Sequence, residues 1–193
     1  MAEIRTVKQL YNALRLQGKT EVGELEKEFD TIARALLNRF VIKKGGKTYR
    51  LVEIEFYHNR TDEAKKKTTY KRIADSCDFF FHPSGVDLCF ESSESSFGGI
   101  LIRSVQCNGE FINGPGKVAD TLFDKFSAIR RPKDFPRIKA LRSGDDIVPV
   151  SSPRWKIGNE KPYRYYWPQT LWNPDPKEYK ASPWAIKQND NNQ

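Results

Sequence analysis

Apolar residues recur at helical spacing through position 40 and at strand spacing beyond it. Val7, Leu10, Tyr11 and Leu14 fall on one helical face and Gly18 supplies a stop signal, which predicts a helix over 5–17. Phe29, Ile32, Ala33, Leu36, Leu37 and Phe40 follow the stripe of a buried helix, with Asp30 placed to cap its start. The run FVIKKGGKTYRLVEIEFY then alternates with a period of two, and Gly45-Gly46 is the turn signal of a hairpin. In its second strand Val52, Ile54 and Phe56 share one face, while Glu53, Glu55 and Tyr57 share the other. That split predicts an apolar face on the core and two carboxylates and a phenol aimed outward.

Residues 58–78 are polar and rich in cations (Lys65, Lys66, Lys67, Lys71, Arg72), which predicts an exposed loop or short helix. DFFFHPSGVDLCFES reads as two extended pieces hinged at Pro83-Ser84-Gly85. GGILIRSVQ is an apolar strand broken only by Arg103. NGPGK follows it, and Val118, Leu122 and Phe126 predict a helix after that turn. YRYYW predicts a late strand, and 186–193 a frayed tail. The expected fold is mixed α/β in one domain over 1–193, with neither an internal repeat nor a linker.

Composition narrows the class. The chain has 193 residues, 38% of them hydrophobic and 12% aromatic, enough for a sizeable core. A net charge of +8 favours a polyanionic partner. Cys77, Cys89 and Cys107 form no C-x-x-C pair and read as buried thiols of a reducing compartment. No window reaches the roughly 18 apolar residues of a membrane span, and the start lacks a signal-peptide block. A soluble, cytoplasmic protein is expected, nucleoid-associated if its source is bacterial.

Four patterns could carry chemistry. Glu53 and Glu55 on the open face of a strand suit general-base work if partly desolvated, although a solvated strand face is the plainer reading. With a third carboxylate from Asp62, Asp87 or Glu91 they could instead hold Mg²⁺ in a nuclease. The cations of 130–161, Arg154 among them, alternate with Trp155, Tyr163, Tyr165, Tyr166 and Trp167. That mixture suits phosphates and stacked bases, or else a core with a solvated margin. In NGPGK, Gly114, Gly116 and Lys117 resemble a phosphate-binding turn ahead of a helix, without the spacing of an ATP loop. His58 and His82 have no metal-ligand spacing, so no zinc site is expected.

Taken in order, FDTIARALLNRFVI, RLVEIEFYHNRTDEA, GGILIRSVQ, NGPGKVADTL and PRWKIGNEKPYRYY resemble the alkyladenine (3-methyladenine) DNA glycosylase family over about residues 28–167. The first helix is an addition to that pattern. The resemblance implies a curved, mainly antiparallel sheet with flanking helices. It implies no metal and no cofactor, and a monomer acting on double-stranded DNA containing damaged purines. Such an enzyme extrudes one nucleotide into a pocket and cleaves its glycosidic bond. The family's catalytic glutamate falls on Glu55 and its base-stacking tyrosine on Tyr57. Arg103 matches the arginine that holds the catalytic water or the DNA backbone. Phe81 falls at the second aromatic wall, and Glu91 at the position that screens the exocyclic group of the base. Two positions depart from the pattern. Lys66 replaces the pocket histidine, and Ser84 stands where the family carries a bulky wedge, leaving His82 as the candidate wedge. An N-alkylated purine is cationic and leaves readily, so one carboxylate and an aromatic cage suffice. The same positions also fit a DNA-binding protein that has lost turnover.

Overall fold

The first helix is set by its cap. In the computed structural model, which describes residues 3–16, 18–19, 21–62, 68–124, 132–154, 157 and 160–168, Thr6 and Gln9 form a reciprocal capping box ahead of α1 (Val7–Ala13). The helix is shorter than its apolar spacing suggests, and Leu14 and Leu16 reach the core from the segment after it.

The second helix, α2 (Val22–Arg39), begins more than a turn before the expected start. Leu25 lies four residues before Phe29 and extends the same buried stripe toward the N-terminus. Asp30 therefore sits inside the helix and caps nothing. Its carboxylate accepts a hydrogen bond from the Tyr165 hydroxyl at 2.6 Å. Phe40 leaves the helix and opens β1 (Phe40–Lys44).

β1 turns through Gly45-Gly46, both at positive φ, into β2 (Lys47–His58), with Lys44 opposite Lys47. The positive φ at both turn positions is what a two-residue hairpin requires and what glycine supplies. β3 (Phe79–His82) and β4 (Gly85–Cys89) form the expected hinged pair, followed by β5 (Gly98–Cys107) and β6 (Glu110–Asn113). α3 (Pro115–Phe123) comes next, then β7 (Arg137–Ala140), β8 (Val150–Ser152) and β9 (Arg164–Tyr166). Phe126, expected in the third helix, lies outside the described residues.

These strands make one mixed α/β domain around a curled antiparallel sheet in the order β3-β4-β5-β2-β1-β7. β2 is its centre. β5 pairs along one edge, and β1 and then β9 pair along the other. The curl brings the two ends of the order together, since Phe79 and Phe81 of β3 line one cleft with Arg137 and Lys139 of β7. Inside, Phe29 of α2 stacks on Phe56 at 4.7 Å and meets Tyr163 edge-on at 5.4 Å. Tyr163, Tyr165 and Trp167 are buried and belong to the core and not to a base-stacking surface, whereas Tyr166 is half-buried with the Arg164 guanidinium 5.1 Å from its ring. Trp155 lies outside the described residues.

His58, at the end of β2, is 1% exposed, and burial lowers its pKa to about 4. Between the ordinary value of 6.5 and about 4 the unfolded chain takes up a proton that the folded chain refuses. Stability should therefore fall as pH drops through that window, by at most about 3 kcal/mol from this group. Urea unfolding at pH 4.5 and pH 7 should show a smaller difference in His58→Gln than in wild type. An unchanged difference would remove His58 as the cause.

Candidate functional site

Glu53 and Glu55 do not face solvent. They are 1% and 0% exposed, and the strands paired on either edge of β2, β5 and β9, supply cations to them. Arg103 donates from Nε to Glu53 Oε1 at 2.8 Å and from Nη1 to Glu55 Oε2 at 3.2 Å. Arg164 adds a bond to Glu53 Oε1 at 2.7 Å, and the Ser104 hydroxyl one to Glu53 Oε2 at 3.0 Å. Tyr57 donates its phenolic proton to Glu55 Oε2 at 2.9 Å.

A bulge makes this convergence possible. Leu51 faces Val105, Glu53 faces Ser104 and Ile54 faces Ile102, so Val52 and Arg103 are the extra residues of their strands. The bulged backbone aims Arg103 between the two carboxylates, and its carbonyl accepts the Gly114 N–H at 2.9 Å. Burial works against the Arg103 charge, but Glu55 and Glu53 outweigh it and raise its pKa. Burial and the neighbouring Glu55 carboxylate push the Tyr57 phenol well above its usual range, so at neutral pH it stays a donor.

Tyr57 leads from this buried pair to a cavity of about 190 Å³. Tyr57, Tyr70, Arg72, His82 and Leu101 are among its walls, and Ser84 reaches it as well. The ring of Tyr70 lies over His82 at 4.8 Å. Arg72, expected in an exposed loop, is instead 5% exposed and donates to Asp87 Oδ2 at 2.7 Å. That pair rests directly on β5. A Cβ at Gly99 would lie 2.9 Å from Arg72 Nη1 and 3.0 Å from Asp87 Cβ. Gly99→Ala should therefore cost about 1–3 kcal/mol by overpacking, read as a lower urea midpoint. An unchanged midpoint would show that the pair can yield.

Several sequence expectations take different positions. Phe81 points away from Tyr57, because β3 alternates. Phe79 and Phe81 pack edge-on against Phe123, whereas Phe80 and His82 share the other face. Tyr70 and His82, and not Phe81, line the cavity with Tyr57, a pair that no sequence spacing announces. His82 is not a wedge, being 9% exposed and bonded through Nε2 to Asp87 Oδ1 at 2.9 Å. Glu91 pairs with Arg15 at 2.7 Å, and its N–H is held by the Leu14 carbonyl, which ties it to the segment after α1.

Arg154 is 3% exposed and offers nothing to a phosphate. Its guanidinium lies 4.6 Å from the Tyr57 ring and 5.2 Å from that of Tyr163. It also bonds the Phe56 carbonyl and pairs with Asp62 at 2.8 Å. Gly114 and Gly116 form the entry of α3, with Lys117 exposed beside them. Lys66 lies outside the described residues. Burial pushes the Cys77 thiol up to about 12 and the Cys89 thiol to about 11, so both stay protonated at neutral pH.

Among the described residues no group of three or more His, Cys, Asp and Glu side chains is placed to hold a metal. The arginine between Glu53 and Glu55 occupies the place a bridging cation would need. No helix among the described residues is long and apolar enough to cross a membrane.

No family model matches the chain. It is similar to an uncharacterized protein, L759, of Acanthamoeba polyphaga mimivirus, at 26% identity over 155 residues. The match takes in 63% of this chain and 65% of that relative, so the chain spans a little under two thirds of the relative's length.

Proposed function

We propose that this protein is a monofunctional DNA glycosylase that hydrolyses the glycosidic bond of damaged purines in double-stranded DNA. One observation carries the reading. The Glu55 carboxylate is held by Arg103 and by the Tyr57 hydroxyl, and the same tyrosine lines a cavity with Tyr70 and His82. A flipped purine laid against Tyr57 brings its sugar toward Glu55. The bond from C1′ to the base nitrogen breaks with its electron pair going to the base, and an oxocarbenium-like sugar forms. Water adds its oxygen to C1′ and gives its proton to Glu55, leaving an abasic site and a free base. A cationic N-alkylpurine leaves as a neutral base and needs no further proton.

The hydrolysis requires DNA to admit one water to a carboxylate that is fully buried in the free protein. That burial favours a second reading, a DNA-binding protein of the same fold without turnover. Methylated duplex incubated with the protein in EDTA separates the two. Release of 3-methyladenine or 7-methylguanine supports hydrolysis. Salt-dependent binding without release supports the second reading.

A further inference from the structure

The sheet ends in two open edges that face one cleft. Among the described residues β3 pairs only with β4, and β7 only with β1. The cleft between them holds about 570 Å³, with Phe79 and Phe81 on one side and Arg137, Ile138 and Lys139 on the other. Phe81 and Tyr11 of α1, each 42% exposed, add apolar surface to its walls. Hydrogen bonds at the strand ends fix which backbone groups look toward it. The Phe90 N–H bonds the Gly98 carbonyl at 3.2 Å, so by alternation the backbone groups of Leu88 point to β5. Phe79 stands opposite Leu88 and so directs its own N–H and carbonyl away from β4, at the open edge. Across the cleft the Leu141 N–H bonds the Arg39 carbonyl at 2.8 Å, and the same alternation turns the backbone of Ile138 away from β1.

The side chains alternate as the backbone does. Phe79 and Ile138 stand opposite Leu88 and Ile42 of the core, whereas Arg137 and Lys139 are exposed on the other face of β7. Arg137 donates to the Pro132 carbonyl at 3.1 Å, and among the described residues neither cation has a carboxylate partner. Asp78 is the one carboxylate among the described residues of the cleft, and its Oδ2 accepts the Asp75 N–H at 3.1 Å. We infer that the cleft takes up an extended segment of a partner protein, which adds a strand between β3 and β7 and carries carboxylates at alternate positions. Its backbone groups meet those of Phe79 and Ile138, its carboxylates lie beside Arg137 and Lys139, and its apolar side chains turn inward. β3 and β7 run in opposite directions, so the added strand is parallel to one and antiparallel to the other. A nucleic acid would engage the cations but leave both edges unpaired. The inference does not depend on the glycosylase reading, since His82 puts the Tyr57 cavity on the opposite face of β3.

The test titrates the full chain with a capped, fluorescein-labelled peptide of alternating glutamate and valine, with the same peptide carrying lysine for glutamate, and with oligothymidine. Wild type should bind the glutamate peptide in preference to the lysine peptide, and the amides of Phe79 and Ile138 should exchange more slowly in that complex. Arg137→Glu/Lys139→Glu reverses two exposed charges and should keep the far-ultraviolet spectrum of wild type. It should lose about tenfold or more in affinity for the glutamate peptide. The inference is overturned if the glutamate peptide fails to bind, or if the double variant binds it within about threefold of wild type. Unchanged exchange at Phe79 and Ile138 in the complex overturns it too. Oligothymidine binding that the double variant loses, with no binding of the glutamate peptide, gives the cleft to nucleic acid instead. Self-association that the double variant abolishes and the glutamate peptide does not disturb gives it to a second copy of the chain.

Discussion

Replacing Arg103 with methionine is expected to destabilise the protein by about 3–5 kcal/mol, a large part of the stability of a domain this size. The reason is the company it keeps. Two carboxylates at 1% and 0% exposure converge on its guanidinium, and removing it leaves their charges to repel one another out of reach of bulk water. The urea midpoint should drop accordingly, and Glu53→Gln in the same chain should restore part of the loss by removing one of the two charges. A midpoint within about 1 kcal/mol of wild type would mean the carboxylates are held mainly by other groups.

The second large effect concerns Glu55. Glutamine keeps the shape of the side chain and an oxygen to accept from Tyr57, but it cannot take a proton from water or stabilise a cationic sugar. Glu55→Gln should fold with a far-ultraviolet spectrum like that of wild type and bind damaged duplex with similar affinity. Its single-turnover release should fall by about 10²–10⁴-fold. Loss of binding in step with release would move Glu55 from chemistry to structure.

The fold was largely legible because its elements carry local signals. The stripe from Phe29 to Leu37, the paired glycines at 45 and 46 and the hinge at 83–85 each act over a few residues, and each appears where expected. The start of α2 was misread because Asp30 has the chemistry of a cap, while Leu25 continues the stripe past it. At the site, alternation along β2 separated Glu53, Glu55 and Tyr57 from the core residues Val52, Ile54 and Phe56, but it could not say which groups cover that face. The cations that hold the two glutamates come from β5 and β9, 48 to 111 residues away in sequence, and the register of β2 with β5 includes a bulge.

The same limit explains Arg72 and Arg154. Arg72 reads as a cation of an exposed polar stretch and Arg154 as one of a basic and aromatic stretch, and both are buried by tertiary partners, Asp87 for one and the rings of Tyr57 and Tyr163 for the other. Phe81 takes the other side for a simpler reason, since alternation along β3 puts Phe81 against Phe123 and its neighbour His82 on the cavity.

The most direct measurement is release of free base from methylated duplex DNA, in EDTA, by wild type and by Glu55→Gln of equal fold and equal affinity. Release of 3-methyladenine or 7-methylguanine by wild type, reduced by about two orders of magnitude or more in the variant, is the predicted result. A folded, DNA-binding wild type that releases no base, or a variant that releases as fast as wild type, would contradict it.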